Sequence, residues 1–159
     1  MRVTVFAAIL VLAGSIGAQD SLPVVNKVVA SAGGNPAIAP NTWIEIHGTN
    51  LAPVSMDWSA WNFAKGLPYE LAGVSATVNH QPAIISYVSP AQINVLTPLD
   101  NALGPVAVQV TTPAGESTPL AVNEQSSTPG FFVIDGAGHA AARHLDYSLL
   151  GDASLSIPG

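Results

Sequence analysis

Apolar residues recur at every second position in short runs, and glycine, proline or asparagine closes nearly every run. Val74, Ala76 and Val78 alternate with Ser75 and Thr77. Val106, Val108 and Val110 alternate with Ala107, Gln109 and Thr111, while Ile44 and Ile46 alternate with Trp43, Glu45 and His47. A period of two places alternate side chains on one face of an extended chain, so each run predicts a strand with one buried face. Further runs stand at 24–30, 83–88, 93–97, 120–122 and 131–134. Turn signals separate them, among them Asn79-His80-Gln81-Pro82, Ser89-Pro90 and the hairpin-like Pro113-Ala114-Gly115-Glu116. The 14 glycines and 13 prolines leave little room for helix, and one-faced strands must bury that face against a second sheet. The fold class expected is an all-β sandwich of about seven to eight strands. Its core should contain Ile44, Ile46, Val74, Ala76, Val78, Ile93, Val95, Val106, Val108 and Val110. Over 139–150 the spacing of Ala141, Leu145 and Leu149 leaves a short helix and an extended hairpin both open.

The N-terminus reads differently. Met1-Arg2, an apolar run over 3–14 and the small residues around Ser15-Ile16-Gly17-Ala18 have the layout of a secretory signal peptide. The run is shorter than the roughly 20 residues of a membrane-spanning helix, so cleavage after Gly17 or Ala18 and no stable membrane span are expected. That address puts the mature chain in the secreted, cell-surface or periplasmic space. The expected organisation is a signal peptide at 1–18, a sandwich at 19–128 and a C-terminal extension at 129–159. In that extension the apolar run 131–134 should dock on the sandwich edge, 133–159 should be less firmly held than the sandwich body, and order should be lost over 154–159. The chain has no cysteine, so its core must hold without disulfides, which about 140 residues can do.

Charge narrows the function. Only 9% of residues are charged, with 4 Lys+Arg against 10 Asp+Glu. Four scattered cations cannot form the basic stripe that phosphate backbones require, which excludes a nucleic-acid binder. No Gly-X-Ser-X-Gly elbow, His-Glu-X-X-His pair, calcium loop or glycine-rich phosphate loop is present. His47, His80, His139 and His144 are spread along the chain. Glu45 and His47 share a strand face, which reads as the solvated one. We therefore expect no catalytic residues, no cofactor and no metal site.

One stretch departs from the strand-and-turn rhythm. Residues 51–71 hold Trp58, Trp61, Phe63 and Tyr69 without a clean period, and long irregular loops often carry function. Indole and phenol rings offer a broad apolar face with a polar edge, suited to stacking on a sugar ring. The same rings could instead cap an open end of the sandwich, and their exposure decides between the two. These four residues form the candidate ligand-contact loop.

Trp43-Ile44-Glu45-Ile46-His47-Gly48-Thr49-Asn50-Leu51 resembles the opening of the immunoglobulin-like IPT/TIG fold. Gly73-Val74-Ser75-Ala76-Thr77-Val78-Asn79, followed by Tyr87-Val88-Ser89-Pro90-Ala91-Gln92-Ile93-Asn94-Val95-Leu96-Thr97-Pro98, is similar to a secreted family named for the C-terminal domain of Solibacter and other Acidobacteria proteins. The likeness spans 26–151 and includes Gly104-Pro105-Val106-Ala107-Val108-Gln109-Val110. It implies an Ig-like, extracytoplasmic β-sandwich and brings no catalytic residues with it; because the family tends to continue into a second sandwich-like unit, it leaves 129–159 open as the start of a truncated second unit or as a naturally short form. Where that family often reads His-X-Asp-Gly-Ser, this chain has His144-Leu145-Asp146-Tyr147-Ser148, so a turn that suits glycine there carries tyrosine. The functional expectation is a non-catalytic module for adhesion or protein–protein contact outside the cell, with an unknown extracellular protein or glycan as partner. The alternative is a carbohydrate-binding accessory module that uses the Trp58/Trp61 loop.

Overall fold

Alternation becomes two antiparallel sheets. The computed structural model describes residues 21–133, 139–143 and 145. The expected signal peptide, the 154–159 tail and half of the ambiguous 139–150 segment lie outside the described residues.

Eleven strands form among the described residues, several of them only two residues long. They are β1 (Val24–Ala30), β2 (Trp43–Thr49), β3 (Met56–Asp57), β4 (Glu70–Leu71), β5 (Val74–Val78), β6 (Gln81–Pro82), β7 (Ile84–Val88), β8 (Gln92–Leu96), β9 (Gly104–Thr112), β10 (Gly115–Glu116) and β11 (Leu120–Glu124). One sheet has the order β1-β2-β8-β7-β3. The other runs β10-β9-β5-β4, with β11 also on β9 and β6 also on β5. Registers explain the doubled partners. Residues 115–116 and 120–124 both pair along β9, at Thr111–Thr112 and at Gly104–Val108, so β10 and β11 are one return strand interrupted around Ser117. The Ser117 hydroxyl accepts the Val110 N–H at 3.0 Å and keeps the ladder satisfied across the break.

Both sheets feed one core. Ile44, Ile46, Ile85, Ile93 and Val95 come from the first sheet, and Val74, Val78, Val108 and Val110 from the second, all essentially without solvent contact. All ten core positions expected from the alternation are buried. Cross-strand pairing lines them up: Ile46 stands opposite Val28 of β1 on one side and Ile93 of β8 on the other. Such pairs are the stabilising unit of a sheet. Every strand expected up to 122 is present within one or two residues.

The run at 131–134 differs from expectation. Phe131, Phe132 and Val133 are 75%, 61% and 56% exposed, and only an isolated bridge ties Val133 to Ala140. Gly130 packs against the backbone of Ala32.

Candidate functional site

The irregular loop is ordered by two short capped turns. The Asp57 carboxylate accepts the Ser59 N–H at 2.9 Å and starts a 3-10 turn at Trp58–Ala60. Hydrogen bonds from the Ser59 side chain and then its backbone hold the Asp57 carboxyl below the ordinary carboxylate value. The Asn62 side chain caps a second turn, Phe63–Lys65, in the same way, and Gly66 closes it at φ 88°. Short polar side chains that accept from their own backbone two residues on are a recognised way to build such turns.

These turns fix the aromatic rings. Trp58 stands edge-on to Trp43 of β2, with ring centroids 5.6 Å apart, and edge-on to Phe63 at 5.7 Å. Edge-to-face geometry suits the ring quadrupoles and makes the cluster self-supporting. The Trp61 Nε1–H donates to the Gly66 carbonyl at 2.7 Å. Both indoles are half-buried and packed against the core. Of the four loop aromatics, Phe63 and Tyr69 face solvent most, at 51% and 53% exposure.

Tyr69 opens onto a cleft. The preceding Pro68 is buried, and its carbonyl accepts the Ile85 N–H at 2.8 Å, which pins this end of the loop to β7. Beside Tyr69 lies a cleft of about 620 Å³ with Pro82, Ile84, Leu96 and Pro98 as apolar lining and Asn41, Gln81 and Thr97 as polar groups. That volume lies within the roughly 300–1,000 Å³ of small-molecule sites. Each wall has a local cause. Gln81 and Pro82 return from a two-residue hairpin whose tip, Asn79-His80, has φ of 50° and 62°. Positive φ at both tip residues matches the twist of paired strands. Asn41 sits on a second left-handed turn (φ 51°). The buried Thr97 hydroxyl holds that turn: it donates to the Ala39 carbonyl at 2.7 Å and accepts the Thr42 N–H at 2.9 Å.

A second cleft, of about 610 Å³, adjoins the first and shares Asn41 and Leu99 with it. Asp100, Asn101, Leu103 and Ser126 lie on its walls. Close behind it, Glu124 is only 2% exposed, and its Oε2 has no hydrogen-bond partner. Burial, and then the charge of Asp100, push the Glu124 carboxyl above the usual carboxylate value.

The remaining candidates are elsewhere. Glu45 and His47 lie side by side on the outer face of β2, with Oε2 and Nε2 3.0 Å apart and both side chains about one-third exposed. Among the described residues no group of three or more His, Asp or Glu side chains could hold a metal ion, and no helix is long and apolar enough to cross a membrane. Sequence reasoning singled out Tyr69 but not Asn41, Gln81, Thr97 or Asp100. Their convergence depends on which strands pair, although Asn79-His80-Gln81-Pro82 was visible as turn chemistry.

No family model and no curated protein matches the chain. Among solved structures it is similar to a gamma-CGTase from alkalophilic Bacillus clarkii, with 17% identity and a TM-score of 0.45. The likeness covers 69% of this chain and 13% of that one.

Proposed function

We propose that this chain is a non-catalytic, extracytoplasmic, Ig-like module that binds carbohydrate in the cleft beside Tyr69. The observation that carries the reading is the composition of the cleft. One half-exposed phenol ring stands over an apolar lining, and the amides of Asn41 and Gln81 stand among the polar groups. A sugar ring needs this combination, because its C–H face stacks on an aromatic ring while its hydroxyls require paired donors and acceptors. The signal-like N-terminus and the resemblance to a secreted family support the address. Trp58 and Trp61 then serve as the brace that sets the loop, and Tyr69 as its contact residue.

Exposed Val54, Met56, Phe63 and Leu67 favour a second reading, in which this loop meets an extracellular protein. Exposed apolar groups set close together mark such surfaces. A glycan array probed with the exported chain separates the two. Binding that falls about tenfold or more in Tyr69→Ala supports the cleft, as does its persistence in Phe63→Ala. An array without a Tyr69-dependent signal removes the carbohydrate reading.

A further inference from the structure

The two clefts are neighbours, and their polar groups share one organiser. Asn41 and Leu99 belong to both walls, so no strand separates the Tyr69 cleft from the one beside Asp100. Leu99 is 82% exposed and forms a low apolar ridge between them. The Asp100 carboxylate ties the two together. Its Oδ2 accepts Asn79 Nδ2–H at 3.1 Å and Gln81 Nε2–H at 3.2 Å, and its Oδ1 accepts the Ala102 N–H at 3.0 Å. Both side-chain amides therefore turn their N–H groups to the carboxylate and their carbonyl oxygens away from it. With one Gln81 N–H committed to Asp100, its carbonyl oxygen remains as an acceptor for a ligand rich in O–H donors.

The charged residue on the cleft linings is a carboxylate, Asp100. No Lys or Arg is among the residues that line either one. Lys27 is on β1 and Lys65 is in the second capped turn of the loop. Asp100 lies on the second wall, and Glu124 is buried close enough to feel its charge. An anionic ligand would meet like charge and find no compensating cation, which costs free energy in a partly desolvated site.

Resting on the carbohydrate reading above, we infer that the ligand is an uncharged oligosaccharide that crosses the Leu99 ridge and occupies both clefts, with Asp100 as the positioning residue that orients Gln81. Selectivity against acidic sugars follows from the same carboxylate. Each cleft is large enough for a ring of its own, so affinity should rise with chain length until both are filled.

Isothermal titration of the full exported chain tests this. The probes are malto-, cello-, xylo- and chito-oligosaccharides of one to four units, together with oligogalacturonate. In the series that binds, the four-unit chain should bind at least about tenfold more tightly than the monomer, and oligogalacturonate should not bind. Asn101→Ala, at the second cleft, should reduce the gain in affinity with chain length. Asp100→Asn should weaken the neutral chain and relax the exclusion of oligogalacturonate, with the fold verified by its amide spectrum. Equal affinity for monomer and tetramer overturns the two-cleft inference and leaves the Tyr69 reading standing. A preference for oligogalacturonate overturns the charge argument. No binding by any probe overturns this inference, whereas a Tyr69-dependent array signal from some other glycan would still uphold the carbohydrate reading.

Discussion

Ile46→Ala tests the packing on which the clefts rest. Ile46 is fully buried and lies on β2, which is paired on both sides, opposite Val28 and Ile93. The substitution removes three buried carbons, worth about 0.8 kcal/mol each, or roughly 2.4 kcal/mol of transfer free energy. A cavity term adds to this, because β2 cannot move inward without breaking one of its two ladders. The total should be about 4 kcal/mol, within the 2–5 kcal/mol range for large-to-Ala changes in cores. Equilibrium urea unfolding followed by tryptophan fluorescence reads it directly, since Trp43 is on the same strand and in contact with Trp58. The midpoint should fall with no change in slope, as a loss of stability without a change in exposed surface requires. Leu103→Ala, at a 70% exposed position, is the control and should stay within about 0.5 kcal/mol. A loss below 1 kcal/mol for Ile46→Ala at unchanged slope would refute the assignment of this face to the core.

Two further outcomes follow from single atoms. A Cβ at Gly48 would run into the Val24 carbonyl oxygen and lie 3.1 Å from Leu51 Cδ2, so Gly48→Ala should cost about 1–3 kcal/mol. Hydrogen exchange should show protection lost at the Val24 end of β1 and retained in β9; uniform protection would contradict that. At Glu124 the folded-state pKa lies above the ordinary 4.5, so the native state binds this proton more tightly than the unfolded chain does. The stability gained from that proton is complete below the ordinary value and is lost as pH rises through the folded one. Relative to the non-titrating Glu124→Gln, the native protein should therefore lose stability between mildly acidic and neutral pH in paired urea titrations. Native stability that stays level or rises relative to Glu124→Gln over the same range would contradict the burial of this carboxyl.

How much was legible in the sequence depended on whether the signal was local. The period-two runs of β2, β5 and β9 carried their own burial pattern, because a strand's facing is written in its own residues. The two-residue strands β3, β4, β6 and β10 have no period to read; they exist because a neighbour offers hydrogen bonds. The run 131–134 is as apolar as a strand, yet its described part stays exposed. The aromatic loop was visible as composition, but its order comes from Asp57 and Asn62 capping their own turns. Only one wall of the candidate site was legible, Tyr69. Asn41, Gln81 and Thr97 are separated by tens of residues, and only β-pairing brings them together.

The central claim is the location of the site, and chemical-shift mapping tests it most directly. Amide spectra of the labelled chain should be recorded during titration with the tightest-binding neutral oligosaccharide of the panel. The account predicts saturable shifts that cluster at Asn41, Tyr69, Gln81, Thr97 and Leu99, extend to Asp100 and Asn101 with longer chains, and vanish in Tyr69→Ala. Shifts confined to Trp58, Trp61 and Phe63, or no saturable shift with any member of the panel, would contradict it.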